Sequence, residues 1–423
     1  PRHSARMGPP MTHSFAADHA IPQTGSSPKP SPEPSVEHSA AGTALGAFGM
    51  VAVVGVLALL LHTLAQHSPR IGAGYAAWPQ DAVDTPLGAV RWFLGDMTEP
   101  LFYKSDLAAL GLLAGAAVAW WVGRRGAKWA GSLGYGTGLW PWVLVSASMS
   151  LILSNLVFGW MLDDGWQPTF VPFVCVAPAL VLMYGAGWRT CITGAVLGAA
   201  TTTPLALLFI GTVSEPLGLP PVVGGVLAMS VGSVISFLAA RRMPWLVLRE
   251  PRPATQPELP PSSFNRNLAG DAAWAARRVL KDFTETHFFA NELAAACVIL
   301  AVAAAFVLNP ALPSYGTGLL PHILFAQALT SAIGVTLWRG WYRDGGWAAT
   351  YASVVSVAPA AVLAYGGSWT GMVGGAVVGA VLAPPLARAI SARLPAGFHP
   401  VIGNTAAMAV STAVALPVIG LLP

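Results

Sequence analysis

Five phrases occur twice along this chain, in the same order, and that duplication limits its possible folds more than any other feature. DMTEPLFYKSDLA (96–108) returns as DFTETHFFANELA (282–294), and YGTGLWP (135–141) as YGTGLLP (315–321). CVAPALVLMYGAGW (175–188) returns as SVAPAAVLAYGGSW (356–369), GAVLGAATTTPLA (194–206) as GAVVGAVLAPPLA (375–387), and PVVGGVLAM (221–229) as PVIGNTAAM (400–408). The offset drifts only between 179 and 186 residues. Chance similarity of two apolar chains gives one such match, not five in order.

Composition identifies the medium. Charged residues are 9% and hydrophobic residues 54% of the 423 positions, whereas a soluble globular chain carries about a quarter charged. Apolar runs of roughly 18–22 residues recur, the length that crosses a bilayer's hydrocarbon core as a helix. The expected fold class is an all-α polytopic membrane protein with about eleven transmembrane helices. Its formal charge of +4 is then a signal of topology and not of nucleic-acid binding. Cys175, Cys191 and Cys297 lie in apolar runs without metal or redox spacing and read as small core residues.

Residues 1–42, with eight prolines, read as a disordered N-terminal tail, and its histidines (His3, His13, His19, His38) receive no metal role. The first transmembrane helix is expected at 43–66. Repeat A, 83–245, opens with an interfacial stretch at 83–103 and continues with spans near 105–122, 139–161, 170–187, 191–210 and 222–240. A proline-rich linker follows at 246–263. Repeat B, 264–423, opens with an amphipathic segment in which Trp274, Val279, Leu280 and Phe283 oppose Arg266, Arg277, Arg278 and Lys281. That pattern predicts a helix lying on the membrane surface. Five spans close the chain near 290–308, 319–338, 350–366, 370–388 and 400–421.

Of the 22 Lys and Arg, one orientation puts 16 in cytoplasmic loops and three in a cytoplasmic tail, leaving Arg70, Arg91 and Lys104 outside. The positive-inside bias selects it, with the N-terminus cytoplasmic and the C-terminus outside. Each repeat has five spans, an odd number, so the second copy must be mounted upside down. The expected plan is two inverted five-helix repeats preceded by one extra helix, and inverted repeats are the usual ground plan of secondary transporters and several channels.

Helix breaks in corresponding spans point to a midplane site in such folds. Thr201, Thr202, Thr203 and Pro204 in one copy correspond to the stretch holding Pro384 and Pro385 in the other, and both are expected to interrupt their spans. Pro178 and Pro359 stand in the preceding spans. With Asn404 and Gln327, these residues form the candidate substrate-binding set. Asp96, Glu99, Asp282 and Glu285 form two D-x-T-E turns, read as helix N-terminal caps or as gates. Asp106 and Glu292, aligned at span entrances, are the ion-coupling candidates. No charged residue falls at the middle of an expected span, which argues against a deep proton relay. Neither a catalytic constellation nor a metal-ligand set is found, and no cofactor is expected.

The phrases SVAPAAVLAYGG (356–367), APPLA (383–387) and GFHPVIGN (397–404) resemble a family of bacterial multi-pass membrane proteins known only as a domain of unknown function. The resemblance covers roughly residues 40–421, implies a bacterial plasma-membrane location, and brings no activity with it. At fold level alone, the five-plus-five plan is similar to urea and ammonium channels, without their paired pore histidines. The reading is a transporter or channel for a small solute, with its site at the pseudo-two-fold interface. The alternatives are an intramembrane enzyme acting on a lipid-linked substrate and a membrane scaffold. The expected partners are the bilayer and a small solute, with no nucleic acid; homo-oligomerisation is left open.

Overall fold

The computed structural model describes residues 38–249 and 268–422; the tail before His38, the linker phrase at 251–263 and Arg266 lie outside them. Every regular element among the described residues is helical. In chain order the α-helices are α1 (Ala40–Leu64), α2 (Trp78–Asp84), α3 (Pro86–Thr98), α4 (Asp106–Arg124), α5 (Trp140–Phe158), α6 (Val176–Tyr184), α7 (Trp188–Phe209) and α8 (Pro221–Ala240). The second half contains α9 (Leu268–Glu285), α10 (Glu292–Leu308), α11 (Leu320–Leu337), α12 (Tyr351–Val354), α13 (Val357–Ala364), α14 (Gly375–Ser391) and α15 (Val401–Gly420). Among the described residues, eight helices are long and apolar enough to cross a membrane, and Val171–Tyr184, Glu292–Leu308 and Tyr351–Ala364 are shorter apolar segments.

Small residues set the packing. α1 lies against α9 and α11, and a Cβ added to Gly46 would stand 1.9 Å from the Ala272 carbonyl oxygen. Helices α4 and α10, which open corresponding stretches of the two copies, lie along each other. A Cβ on Gly111 would fall 2.4 Å from that of Ala301. In α8 and α15, likewise corresponding, contact is also extensive. Large apolar side chains such as Leu156, Trp188 and Trp369 stay exposed, as suits a chain whose helices are apolar enough to cross a membrane, while hydroxyls such as Ser146 and Thr330 turn inward to bond across helices.

The structure corrects four expectations. Order begins before residue 42: Ser39 caps α1, and the His38 imidazole meets Asp271 at 2.8 Å and stacks on Trp274. The stretch 83–103 is largely helical and packed inward, for α3 buries Trp92, Asp96 and Thr98. Helix α9 does not keep its whole charged face in water. It packs against α1, α10 and α11 and buries Arg278, Asp282 and Glu285 beside Val279 and Phe283.

The fourth correction concerns the breaks. α7 runs continuously through Thr201, Thr202, Thr203 and Pro204, and α14 through Pro384 and Pro385. The interruptions lie one span earlier, at Cys175 (φ −138°, ψ −91°) and Ser356 (φ −143°, ψ −87°). Each break residue bonds back to a carbonyl four residues earlier: Cys175 Sγ to Val171 at 3.0 Å, and Ser356 Oγ to Ala352 at 2.6 Å. Those bonds tie each break residue to the turn before it. Pro178 and Pro359 then occupy the third residue of α6 and α13, where a missing N–H removes no intrahelical bond.

Candidate functional site

The D-x-T-E phrases close the ends of α3 and α9, so their acids cannot cap helix N-termini as the sequence suggested. The caps of α4 and α10 are Ser105 and Asn291. The threonine of each phrase makes the return turn. Thr98 Oγ1 donates to the Ser105 carbonyl at 3.0 Å and accepts the Ser105 N–H at 3.1 Å. Thr284 does the same with Asn291, at 3.0 Å in both directions. Within these turns Phe102 (φ 65°) and Phe288 (φ 61°) share the left-handed conformation, which costs about 1–3 kcal/mol unless surrounding contacts enforce it.

The turns aim both acids inward onto a buried cation. In the first copy the Lys104 ammonium bonds Asp96 Oδ1 and stands 2.6 Å from Glu99 Oε2. Asp96 Oδ2 accepts from Thr169 Oγ1 at 2.7 Å and from Asn155 Nδ2 at 3.0 Å. Glu99 Oε1 accepts from the Trp166 indole and from the Tyr315 hydroxyl at 3.1 Å. Lys104 and Asp96 are 0% exposed and Glu99 is 2%. The ammonium also lies 3.5 Å from the centre of the Trp92 ring.

In the second copy Arg278 is the cation, 2.5 Å from Asp282 Oδ1 and bonded to Glu285 Oε2. Asp282 accepts from Ser331 at 2.6 Å and from Thr350 at 3.0 Å, and Glu285 from the Trp347 indole at 2.7 Å. The acids, threonines and tryptophans correspond between copies, but the cations do not. At the 186-residue offset of the acids, Arg278 aligns with Trp92 and Lys104 with Ala290. Each cluster thus recruits its positive charge from a different position in the repeat. Burying a carboxylate pair requires a cation, and the requirement is for charge and not for one chain position.

The copies also reach into each other. Gly134 N–H donates to the Phe289 carbonyl at 2.9 Å, and the corresponding Ser314 N–H to the Tyr103 carbonyl at 2.7 Å. The tyrosine of each YGTG phrase, left-handed in both copies (Tyr135 φ 57°, Tyr315 φ 61°), lies by the other copy's glutamate. Tyr315 bonds Glu99, and the Glu285 charge raises the Tyr135 phenol beyond the shift from burial. Residues before each phrase bond the other copy's acid turn, a reciprocity typical of two-fold contacts.

A cavity of about 480 Å³ opens between the copies, lined by Glu99, Phe102, Val226 and Met229 of the first and by Tyr315, Tyr351, Val355 and Met408 of the second, among others. Its walls are largely apolar and aromatic, with Glu99 the carboxylate among them, and its size suits a small organic ligand. Burial raises the Glu99 carboxyl above the ordinary carboxylate range, against the pull of Lys104. Burial likewise raises Asp282 despite Arg278.

Several residues selected from the sequence stand away from this cavity. Thr201 bonds Leu197 and Ser236, Thr202 bonds Gly198, and Thr203 pairs with Ser154 at 2.8 Å. Pro204, Pro384 and Pro385 sit in helix interiors, and Pro178 and Pro359 lie beside the breaks. Gln327 is buried between the Leu101 and Val354 carbonyls and the Tyr103 hydroxyl. Asn404 touches the cavity only through Tyr351, whose hydroxyl it meets at 3.1 Å. Asp106 and Glu292 form peripheral pairs with Arg91 and Arg277, the same arginine position in both copies. The residues that sequence reasoning missed are Lys104 and the indole and hydroxyl donors. A repeated W-x-x-T (166–169 and 347–350) was the available signal.

No protein-family model matches the chain, and no curated protein matches it.

Proposed function

We propose that the chain is an integral membrane transport protein that moves a small solute through the cavity between its two copies. In this reading Glu292–Leu308 and the two broken segments cross the membrane along with the eight longer helices, giving eleven spans. They form two five-helix repeats, mounted in opposite senses after one extra helix. The charge bias puts the N-terminus in the cytoplasm of a bacterial cell. The Asp96 cluster then stands toward the outside and the Asp282 cluster toward the cytoplasm.

The observation that carries the reading is the cavity, whose walls come from both copies and include segments beside the backbone breaks. Glu99 lines it and Glu285 does not. Access to one cluster at a time is the asymmetry expected of one end state in alternating access. Irregular backbone at membrane depth is tolerated where it is buried in protein or borders a cavity, and the Cys175 and Ser356 breaks fit that condition.

Two experiments test the proposal. Reporter fusions after Leu246 and after the last residue should report opposite compartments; the same compartment for both would end the inverted arrangement. A thermal-shift screen across metabolite classes should identify a stabilising solute, and the protein in liposomes should then move it. Gly225 lines the cavity, and an added Cβ there meets only Val171 Cγ1, at 4.0 Å. Gly225→Phe should therefore fold and block flux. Undiminished flux in a folded Gly225→Phe protein would reject the cavity as the path.

A further inference from the structure

The charge count of the first cluster leaves a remainder. Asp96 and Glu99 share the single ammonium of Lys104, so full ionisation leaves one surplus negative charge in a buried site. Glu99 Oε2 stands 2.6 Å from that ammonium and has no other polar partner among the described residues. The second cluster differs. Lys281 lies near enough to Glu285 for their charges to interact, whereas the corresponding first-copy residue is Gly95, against which the Lys104 stem packs. The unbalanced charge therefore belongs to the cluster that borders the cavity.

The remaining wall is suited to one kind of neutralising partner. Tyr75, Trp166 and Tyr315 adjoin Glu99 in the cavity wall, Phe170 packs against Trp166, and Tyr351 lines the wall beside the second cluster. Aromatic faces attract cations, most strongly where water is excluded, and aromatic cages recognise quaternary ammonium groups in this way. A neutral solute would leave the surplus charge uncompensated, and an anion would add to it.

We propose that the cavity binds an amphipathic organic cation whose charge rests against Glu99, in exchange for the proton that neutralises the cluster when the cavity is empty. The exchange balances. The protonated Glu99 carboxyl releases its O–H proton to solvent, the carboxylate keeps the electron pair, and the ligand cation takes the proton's place. The proposal rests on the transport reading for its purpose but not for its measurement.

The groups facing Glu99 permit this assignment. They are Asp96 at the end of α3, Lys104 before α4, Tyr75 before α2 and Tyr315 before α11, with His287 held on the Met97 carbonyl nearby. Burial raises both phenols, and it lowers His287 to about 4. Near neutral pH none of these three changes charge, so a released proton is the carboxyl's.

Benzyltrimethylammonium is a suitable probe, because it is permanently charged and carries no proton to confuse the count. Calorimetric titration of the purified full chain, in buffers of different ionisation enthalpy, should find binding with release of about one proton per cation at acidic pH. The release should vanish as pH rises through the carboxyl's titration, and the apparent affinity should increase by up to about tenfold per pH unit over that window. Uncharged neopentylbenzene should release no proton. Glu99→Gln should abolish proton release and weaken cation binding by roughly tenfold or more. Absence of cation binding, binding without proton release at every pH, or unchanged release from a folded Glu99→Gln variant would each overturn the proposal. The first two outcomes need only the wild-type chain, so they decide the matter even if the variant fails to fold. Cation–proton exchange without solute flux in liposomes would keep this inference and sink the transport reading instead.

Discussion

The different origin of the two buried cations allows the charge requirement to be separated from the local sequence. Lys104→Met should leave Asp96 and Glu99 without their ammonium, a change that costs about 3–5 kcal/mol when a buried pair is broken. Trp92→Arg places a guanidinium where Arg278 stands in the second copy, but alone it sacrifices a ring that is 1% exposed, at about 3 kcal/mol. Independent effects would sum to roughly 6–8 kcal/mol in the double variant. If charge is what the cluster needs, the introduced guanidinium restores it, and the double variant should be at least about 2 kcal/mol more stable than that sum. Equilibrium unfolding in mixed micelles, followed by circular dichroism, measures all four proteins of the cycle. Additivity within about 0.5 kcal/mol would refute the idea that the copies solve one electrostatic problem from two chain positions.

Three further outcomes follow from the geometry. Gly46→Ala drives a Cβ to 1.9 Å from the Ala272 carbonyl oxygen and should destabilise the α1–α9 contact by about 1–3 kcal/mol; an unchanged melting temperature would contradict that packing. Pro178→Ala and Pro359→Ala should each shift stability by less than about 1 kcal/mol, since both prolines lie in the first helical turn. Loss of more than about 3 kcal/mol in either would return the breaks to the prolines. Burial raises Glu99 and Asp282 above their unfolded values, so folding takes up protons between the two. Their contribution is greatest below the ordinary carboxylate range and is lost as pH rises through the folded values. The melting temperature should therefore increase on acidification from neutral, Asp282→Asn should flatten the slope, and a slope of opposite sign would refute the assignment.

Helix positions were legible because the long apolar runs are helical, and the duplicated phrases mark equivalent backbone, down to the paired left-handed residues at 102 and 288 and at 135 and 315. The direction of burial was not legible in α9. An amphipathic pattern says that two faces differ, not which one meets solvent. In water the charged face of such a helix turns outward, but here α9 packs against α1, α10 and α11, and Arg278, Asp282 and Glu285 turn inward onto one another while Arg277 stays exposed. The same inversion hid Lys104, which looked like one of three stray outward cations and is fully buried. The break positions were missed for a different reason. Proline marks where a helix can start as readily as where it stops, and Cys175 and Ser356 carry no breaker signature of their own.

The reciprocal contacts give the two clusters a common fate. Tyr315 of the second copy donates to Glu99 of the first, and the turn that carries it is tied to Tyr103 by a backbone bond, next to the Lys104 that neutralises Glu99. The matching turn at Gly134 is tied to Phe289, beside the Thr284–Asn291 clamp that positions Glu285. A change of charge at one acid therefore acts on a turn belonging to the opposite copy, which is continuous with that copy's α5 or α11. These two turns are the elements through which a coupling between the clusters would act.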